Sequence, residues 1–156
     1  MSNTLRSQEE VQKWIKNVYN DPIAKILLEN SHLTETQLEI LLIDVITDNL
    51  YDKQVKMEEK AKLRIKRKIS KGAFNRSLKQ AKTNVIRSIY TLILLQYLGL
   101  VSLTTLKKYL QLPEKVKEYL EALKKAENEE EVAFLRKELR ETLLTFANHK
   151  GFSSKE

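Results

Sequence analysis

The chain has 156 residues, with 28 Lys and Arg against 21 Asp and Glu and a net charge of +7. This length suits one domain, or one domain with a helical appendage. Cysteine is absent, which excludes disulfides, thiolate zinc sites and thiol nucleophiles and fits a reducing, cytoplasmic environment. Three Gly and two Pro are too few for the turns of a sheet protein, so the composition predicts an all-α fold, a helical bundle.

Three helices are predicted in the first 52 residues, which carry a net charge of −5. Their start signals are two capping boxes and one Asp-Pro cap: Ser7 with Glu10, Thr34 with Gln37, and Asp21 before Pro22. Apolar residues follow each start at helical spacing and are expected to face the core. They are Val11, Trp14, Ile15 and Val18; Ile23, Ile26 and Leu27; and Leu38, Leu41, Leu42, Val45 and Ile46.

The positive charge is concentrated between Lys53 and Arg87, where 13 Lys/Arg and two acidic residues give a net charge of +11. A dense positive field on a helix attracts polyanions, and nucleic acid is the commonest polyanion inside a cell. A Lys-rich helix that is merely solvated is the alternative interpretation. For residues 53–68 we predict a helix with a weak apolar stripe, and leave open whether it orders without a partner.

One long central helix is predicted from Lys71 to Leu98, capped by Ser70 and closed by Gly99. Its first half should turn five apolar residues inward: Ala73, Phe74, Leu78, Ala81 and Val85. Its second half, from Ile89, is apolar nearly all round, which predicts a buried core helix that includes Tyr90 and Tyr97. The run is well short of the roughly 20 residues that a bilayer span needs.

The C-terminal part reads as a helical hairpin. Leu112-Pro113 separates a short helix from a longer one, and residues 128–131 are the predicted turn. The last helix has a two-heptad apolar seam at Val132, Leu135, Leu139, Thr142 and Phe146. That seam fits either packing within the chain or a homodimer interface. The expected organisation is a helical domain at 1–101, C-terminal helices at 102–147 and a flexible tail at 148–156.

The strongest functional pattern is residues 69–82, which read ISKGAFNRSLKQAK. A helix that enters a DNA groove needs a capped N-terminus with small residues, outward groups that reach bases and phosphates, and apolar residues that dock it from behind. Ser70 supplies the cap, Gly72 and Ala73 are small, and Phe74 and Leu78 face inward.

Eight residues are therefore assigned to nucleic acid. Asn75 and Arg76 carry groups that suit base edges, and the other Lys and Arg suit phosphates. Gln80 ranks below them because it points partly toward the core. The assigned residues are Lys66, Arg67, Lys68, Lys71, Asn75, Arg76, Lys79 and Lys82.

This segment resembles the recognition helix of the sigma-factor region-four type of helix-turn-helix, whose pattern is apolar-Ser-x-Gly-x-apolar-x-x-x-Leu-x-x-Ala. The matching residues are Ile69, Ser70, Gly72, Phe74, Leu78 and Ala81. The helix near Leu33 is similar to the first helix of such units, so a helix-turn-helix-like core is expected at about 33–101. The chain departs from the pattern at residues 63–68, where a basic run replaces the usual middle helix.

A second stretch, Ser88 to Val101, is similar to the end of a recognition helix in winged-helix regulators. No hairpin pattern follows it, because residues 102–112 read as helix. We therefore prefer the first resemblance.

Catalytic patterns are missing from the sequence. His32 and His149 are the only histidines, and no metal-ligand spacing, phosphate loop or nucleophile elbow occurs. We predict a protein without enzymatic activity or cofactor, which binds duplex DNA as a transcriptional regulator or chromosome-associated factor. An RNA-binding helical protein and a protein-interaction module with a basic docking surface are the alternatives.

Overall fold

The computed structural model describes residues 2–51 and 54–147, with side chains from Gln8 to Thr145. Within these ranges it contains eight α-helices and no strand, which confirms the predicted all-α fold and the long central helix. The helices are α1 (Ser2–Asn20), α2 (Pro22–Glu29), α3 (Glu35–Leu50), α4 (Met57–Lys62), α5 (Lys71–Tyr97), α6 (Leu103–Leu110), α7 (Leu112–Lys125) and α8 (Glu129–Ala147). None of the helices in the described ranges is long and apolar enough to cross a bilayer.

The chain divides into two compact units, Met1–Ile89 and Tyr90–Glu156. The division falls inside α5, upstream of the boundary expected near Val101. The N-terminal unit contains α1 to α4 and most of α5, and the C-terminal unit contains the end of α5 with α6 to α8. The predicted tail at 148–156 lies outside the described residues, as does His149.

Two of the three predicted helix starts are confirmed. Asp21 Oδ1 accepts hydrogen bonds from the backbone N–H groups of Ile23, at 2.8 Å, and Ala24, at 3.4 Å. Thr34 and Gln37 form the complete capping box, with 3.2 Å and 3.1 Å hydrogen bonds. The start predicted at Ser7 is wrong, because α1 already begins at Ser2. No Gly or Pro lies between the two positions, so the polar residues before Ser7 extend the helix.

The core of the N-terminal unit lies between α1, α3, α4 and α5. Its buried residues are Val11, Ile15, Ile40, Ile43, Ala61, Leu63, Phe74 and Leu78. Val11 and Ile15 are four residues apart and occupy the inner face of α1. Trp14 lies off that face and is 57 % exposed, so its predicted role as a core anchor is wrong. Of the helix predicted for residues 53–68, only Met57–Lys62 is helical in the described residues, but its weak stripe does reach the core, because Val55, Ala61 and Leu63 are all buried.

The inner face of α3 is partly polar, which the apolar pattern did not predict. Glu39, Asp44 and Thr47 are buried beside Ile40 and Ile43. Thr47 Oγ1 donates to the carbonyl of Ile43 at 2.6 Å, so its hydroxyl is satisfied within the helix. The predicted stripe turned Val45 inward, whereas its side chain is exposed. Glu39 and Asp44 are buried in its place, because each forms an ion pair with a cation from α4 or from the segment that follows α4.

The prediction that the second half of α5 is a buried core helix is wrong. The last buried residue of the helix is Ala81, and Val85 is exposed. Tyr90 is 68 % exposed and Tyr97 is 82 % exposed. The buried residues that pack with α1, α3 and α4 lie in the first half of α5, and most of the apolar residues that follow are exposed among the described residues.

The C-terminal unit has the predicted helical hairpin, with α7 packed against α8. The turn lies at residues 126–128, slightly earlier than predicted, because Asn128 Oδ1 caps α8 by accepting from the N–H of Glu131 at 2.8 Å. Leu139 and Leu143 are the buried residues of α8. The side chain of Phe146, predicted in the same seam, lies outside the described residues.

Gly99 closes α5 as predicted. Its φ of +70° is in the left-handed region, where glycine is favoured over other residues. The N–H of Leu100 donates to the carbonyl of Leu95 at 2.9 Å, and the N–H of Gly99 donates to that of Gln96 at 3.1 Å. These are the bonds of a Schellman cap. Helix α6 follows immediately, so no wing hairpin is formed.

Candidate nucleic-acid interface

The basic segment between α4 and α5 is fixed to α3 by a buried ion pair. The Nε and Nη2 atoms of Arg64 donate to Glu39 Oε2 at 3.1 Å and 2.9 Å. The backbone N–H of Ile65 donates to Glu39 Oε1 at 2.6 Å. Glu39 is completely buried and Arg64 nearly so. One carboxylate therefore holds both a side chain and the backbone of the segment that leads into α5.

A second buried cluster lies one turn further along α3. Lys60 Nζ contacts the Oδ1 atoms of Asp44 and Asp48, each at 2.7 Å, and Lys82 Nζ contacts Asp44 Oδ2 at 2.7 Å. Burial raises the pKa of the Asp44 carboxyl, but its hydrogen bonds to Lys60 and Lys82 outweigh that effect and lower the pKa below its usual value. Burial lowers the pKa of Lys60, but its two carboxylate partners outweigh that effect and raise it. The cluster joins α3, α4 and α5.

A third contact lies at the protein surface. Lys66 forms an ion pair with Glu35, and its Nζ lies 4.5 Å from the centre of the Tyr19 ring. The Tyr19 hydroxyl donates to Glu39 Oε2 at 3.3 Å. Burial, reinforced by the charge of Glu39, raises the pKa of that hydroxyl. Lys66 thus extends the network that begins at Arg64 to the edge of the N-terminal unit.

These contacts divide the basic residues between Lys53 and Arg87 into interior, paired and exposed groups. Lys60 and Arg64 are interior residues and are inaccessible to an external polyanion. Lys66 and Lys82, both predicted nucleic-acid contacts, keep about half of their side chains exposed but are already paired with Glu35 and Asp44. The other six predicted site residues are exposed: Arg67, Lys68, Lys71, Asn75, Arg76 and Lys79.

The start of α5 has the features predicted for a groove-binding helix. Ser70 Oγ accepts from the N–H of Ala73 at 3.2 Å, which caps the helix. Gly72 is exposed, and a Cβ atom at that position would meet nothing closer than Arg76 Nη1, at 3.9 Å. Phe74 and Leu78 are buried on the opposite side. The helix is therefore held from behind while its outer side is open.

The outward polar groups lie on one side of this helix half. At 3.6 residues per turn, Asn75, Arg76 and Lys79 fall within about 100° around the axis, with Gly72 among them. Gln80 is occupied: its Nε2 donates to Asn84 Oδ1 at 2.9 Å. Asn84 Nδ2 in turn donates to the carbonyl of His32 at 3.2 Å. Gln80 thus belongs to a link between α5 and the start of α3.

The connection into α5 differs from that of a simple helix-turn-helix. Eight residues, 63–70, separate α4 from α5. The usual turn has three or four residues. The longer connection is anchored by Arg64 and Ile65 on Glu39, and it places Arg67 and Lys68 in exposed positions just before the helix start.

A metal site and a pocket are the other features that the described residues could supply. No group of three His, Asp or Glu residues within them is placed to hold a metal ion. A depression between α1, α2 and α3 has a volume of about 270 Å³ and is lined mainly by apolar side chains, including Val18, Leu28 and Leu38.

Comparison with known proteins adds no relative. No protein-family model matches the chain, and no curated protein or solved structure is significantly similar to it.

Proposed function

We propose that this protein binds duplex DNA through the outer side of the first half of α5. The observation that carries the proposal is a capped helix start with Asn75, Arg76 and Lys79 exposed on one side and Phe74 and Leu78 buried on the other. A helix held this way presents its N-terminal residues to a major groove. Transcriptional regulation or chromosome organisation in the reducing cytoplasm is the role that this activity would serve.

Each exposed group has a separate task in this proposal. Arg67 and Lys68 precede the cap, Lys71 is the first residue of α5, and Lys79 lies about one turn beyond Asn75 on the open side, so these four neutralise phosphates. Asn75 and Arg76 reach base edges, since amide and guanidinium groups can make paired hydrogen bonds to adenine and guanine. Gly72 lets the helix backbone approach closely, because it presents no side chain.

The ion pairs with α3 support this division. Lys60, Arg64 and Ile65 fix the path of the chain up to the helix start. A recognition helix needs such a rigid mounting, because the groups that read bases must be held close to their productive geometry. The interior cations thus position the exposed ones.

The test is a fluorescence-anisotropy titration of mixed-sequence duplex DNA at several salt concentrations. Four phosphate contacts, from Arg67, Lys68, Lys71 and Lys79, predict that log K falls with log salt with a slope of about −3.6. The double variant Arg76→Ala/Lys79→Ala should flatten the slope by about 0.9, because it removes one phosphate contact, and should weaken binding further through the lost base contact of Arg76. Single-stranded and structured RNA are titrated in parallel, and tighter binding to RNA would replace DNA in the proposal.

The matched control is Lys16→Ala/Lys25→Ala, which removes two exposed cations from α1 and α2. Its net charge equals that of the α5 variant, so a general charge effect would weaken both proteins alike. Equal DNA affinity of the wild type and the α5 variant would refute the assignment of this helix. Asn75→Ala should instead change the preferred sequence in a selection from random duplexes, with a similar salt slope.

A further inference from the structure

The depression between α1, α2 and α3 leaves apolar side chains partly exposed. Its walls are these three helices and the segment before α5, and all of its lining residues belong to the N-terminal unit. Val18, Leu28, Leu38 and Ile65 line it, and each is only partly buried. Apolar surface that faces water is stabilised when an apolar molecule covers it, so the depression favours a ligand with an apolar part.

The volume of the depression limits such a ligand to a small molecule. It is about 270 Å³. An engineered cavity of about 150 Å³ in another protein holds one benzene molecule. The depression therefore has room for one aromatic ring, or an acyl chain of similar size, together with a polar head group of a few atoms.

The walls of the depression are held in place by contacts within the N-terminal unit. The Tyr19 hydroxyl is shared between two acceptors of α3, the backbone carbonyl of Glu35 at 3.4 Å and Glu39 Oε2 at 3.3 Å. The N–H of Asp21 donates to the carbonyl of Val18 at 3.2 Å, which fixes the turn from α1 into α2. A ligand would therefore enter a site that is already formed, as most small-molecule sites are.

The charged groups of the lining favour an anion. Lys25, Glu35 and Lys66 all line the depression, so its cations exceed its carboxylates by one. Lys66 forms an ion pair with Glu35 and lies over the Tyr19 ring, so its charge is already balanced. Lys25 is exposed and has no ion-pair partner among the described residues. Its ammonium group is the one that a carboxylate at the rim would meet.

We propose that this depression binds a small organic monocarboxylate whose apolar body is about the size of one aromatic ring. The apolar body lies against Val18, Leu28 and Leu38, and the carboxylate pairs with Lys25. Burial of the apolar body supplies most of the affinity. The ion pair is exposed to water, so it adds little affinity and mainly selects the sign of the charge that is accepted.

This site is independent of the proposed function. None of the six residues that contact DNA in that proposal lines the depression. Ligand binding is measured without nucleic acid, so failure of either proposal leaves the other untouched. The DNA titrations in turn contain no such carboxylate, so Lys16→Ala/Lys25→Ala remains a valid control for them.

The experiment compares three probes that share one phenyl ring: phenylacetate, phenylacetamide and phenethylamine, which are anionic, neutral and cationic. Each is titrated into the nitrogen-15-labelled full chain, and binding is followed by the amide chemical shifts. Phenylacetate should bind with a dissociation constant on the order of 1 mM, as expected for so few atoms. Phenylacetamide should bind about 3-fold more weakly, and phenethylamine more weakly still. The shifts should centre on the α1–α2 turn and the start of α3.

Two variants separate the charge from the apolar body. Lys25→Ala should weaken phenylacetate about 3-fold and make its affinity equal to that of phenylacetamide. Lys16→Ala is the matched control, because it removes an exposed cation of α1 that does not line the depression, and it should leave both affinities unchanged. Ala24→Phe should abolish binding of all three probes, since Ala24 lines the depression and the introduced ring would occupy it.

Circular dichroism confirms that each variant is folded, and if Ala24→Phe is not, the comparison of Lys25→Ala with Lys16→Ala decides. The absence of a saturable shift with phenylacetate up to about 10 mM would overturn the proposal. So would shifts that centre on the exposed apolar residues from Ile89 to Leu98. Tightest binding of phenethylamine, or an equal loss of phenylacetate affinity in Lys25→Ala and Lys16→Ala, would refute the assignment of an anion to Lys25.

Discussion

The buried pair of Glu39 and Arg64 gives the most direct test of how the basic segment is held. The perturbation is Arg64→Met, which replaces the guanidinium by an apolar side chain of similar length. Glu39 then loses the hydrogen bonds from Nε and Nη2, at 3.1 Å and 2.9 Å, and keeps those from the backbone of Ile65 and the hydroxyl of Tyr19. Its carboxylate stays completely buried without a counter-charge.

The magnitude follows from that geometry. Removing one partner of a buried ion pair costs about 3–5 kcal/mol, because the other charge remains desolvated. Glu39→Gln should cost a similar amount, since it leaves the guanidinium without its carboxylate. The double variant removes both charges, and the amide oxygen of the introduced glutamine can still accept from the N–H of Ile65. We therefore expect the double variant to lose only about 1 kcal/mol, less than either single variant.

The assay is urea unfolding of the four proteins, followed by circular dichroism. Lys66→Ala is the comparison, because its ion pair with Glu35 is half exposed. Such a surface pair contributes about 0–1 kcal/mol. Losses in Arg64→Met and Glu39→Gln that simply add in the double variant would show that the pair is not coupled. A loss below about 1 kcal/mol in Arg64→Met would show that the segment is not anchored at Glu39.

Two further predictions concern acid stability and the helix start. The pKa of Asp44 is lowered in the folded state, so the stability that its carboxylate contributes is fully present above the unfolded pKa of about 3.9 and is lost as pH falls through the folded pKa. In thermal melts, Asp44→Asn should therefore lose less stability between pH 5 and pH 2 than the wild type. The control is Glu58→Gln, which changes an exposed carboxylate and should follow the wild type. Gly72→Ala has room for its methyl group, so it should raise the free energy of unfolding by about 0.5–1 kcal/mol. The same methyl group should weaken DNA binding, because it keeps the helix backbone away from the groove. A stabilised variant with unchanged DNA affinity would show that the backbone at Gly72 does not approach the nucleic acid.

Most helix ends and turns were predictable because their causes are local, although the equally local capping box at Ser7 did not start a helix. Asp21 and Thr34 bond to backbone groups within three residues, and Gly99 supplies a backbone conformation that other residues rarely adopt. Pro113 lies at the start of α7 for the same kind of reason. These signals depend only on neighbouring residues, so tertiary packing leaves them in place.

The buried side of α3 was not predictable from its own periodicity. An apolar pattern treats Glu39 and Asp44 as outward-facing, whereas each is buried against a cation more than a dozen residues later. The available signal was complementary charge: α3 carries four acidic residues among its apolar ones, and a basic segment with a weak apolar stripe of its own follows it. Spacing alone does not say which Lys or Arg comes inward.

The second half of α5 shows what an apolar pattern does establish. The residues from Ile89 to Leu98 were expected to be buried, and the pattern is indeed that of a helix that avoids water. It does not reveal whether the covering surface belongs to the same chain. In the structure Ala81 is the last buried residue of α5, and Tyr90 and Tyr97 are exposed in the part of the chain that the structure describes.

The net charge of residues 53–87 overstates how many cations are free to contact a polyanion. Lys60 and Arg64 are paired inside the N-terminal unit, and Lys66 and Lys82 face carboxylates of α3. In the proposed function the charge that binds DNA therefore comes from Arg67, Lys68, Lys71 and Lys79, which is why the salt slope is expected at about −3.6 rather than at the value for all 13 Lys and Arg. A slope much steeper than that would mean that the α3 ion pairs open when nucleic acid binds. The segment before α5 would then contact the nucleic acid itself instead of only holding α5 in position.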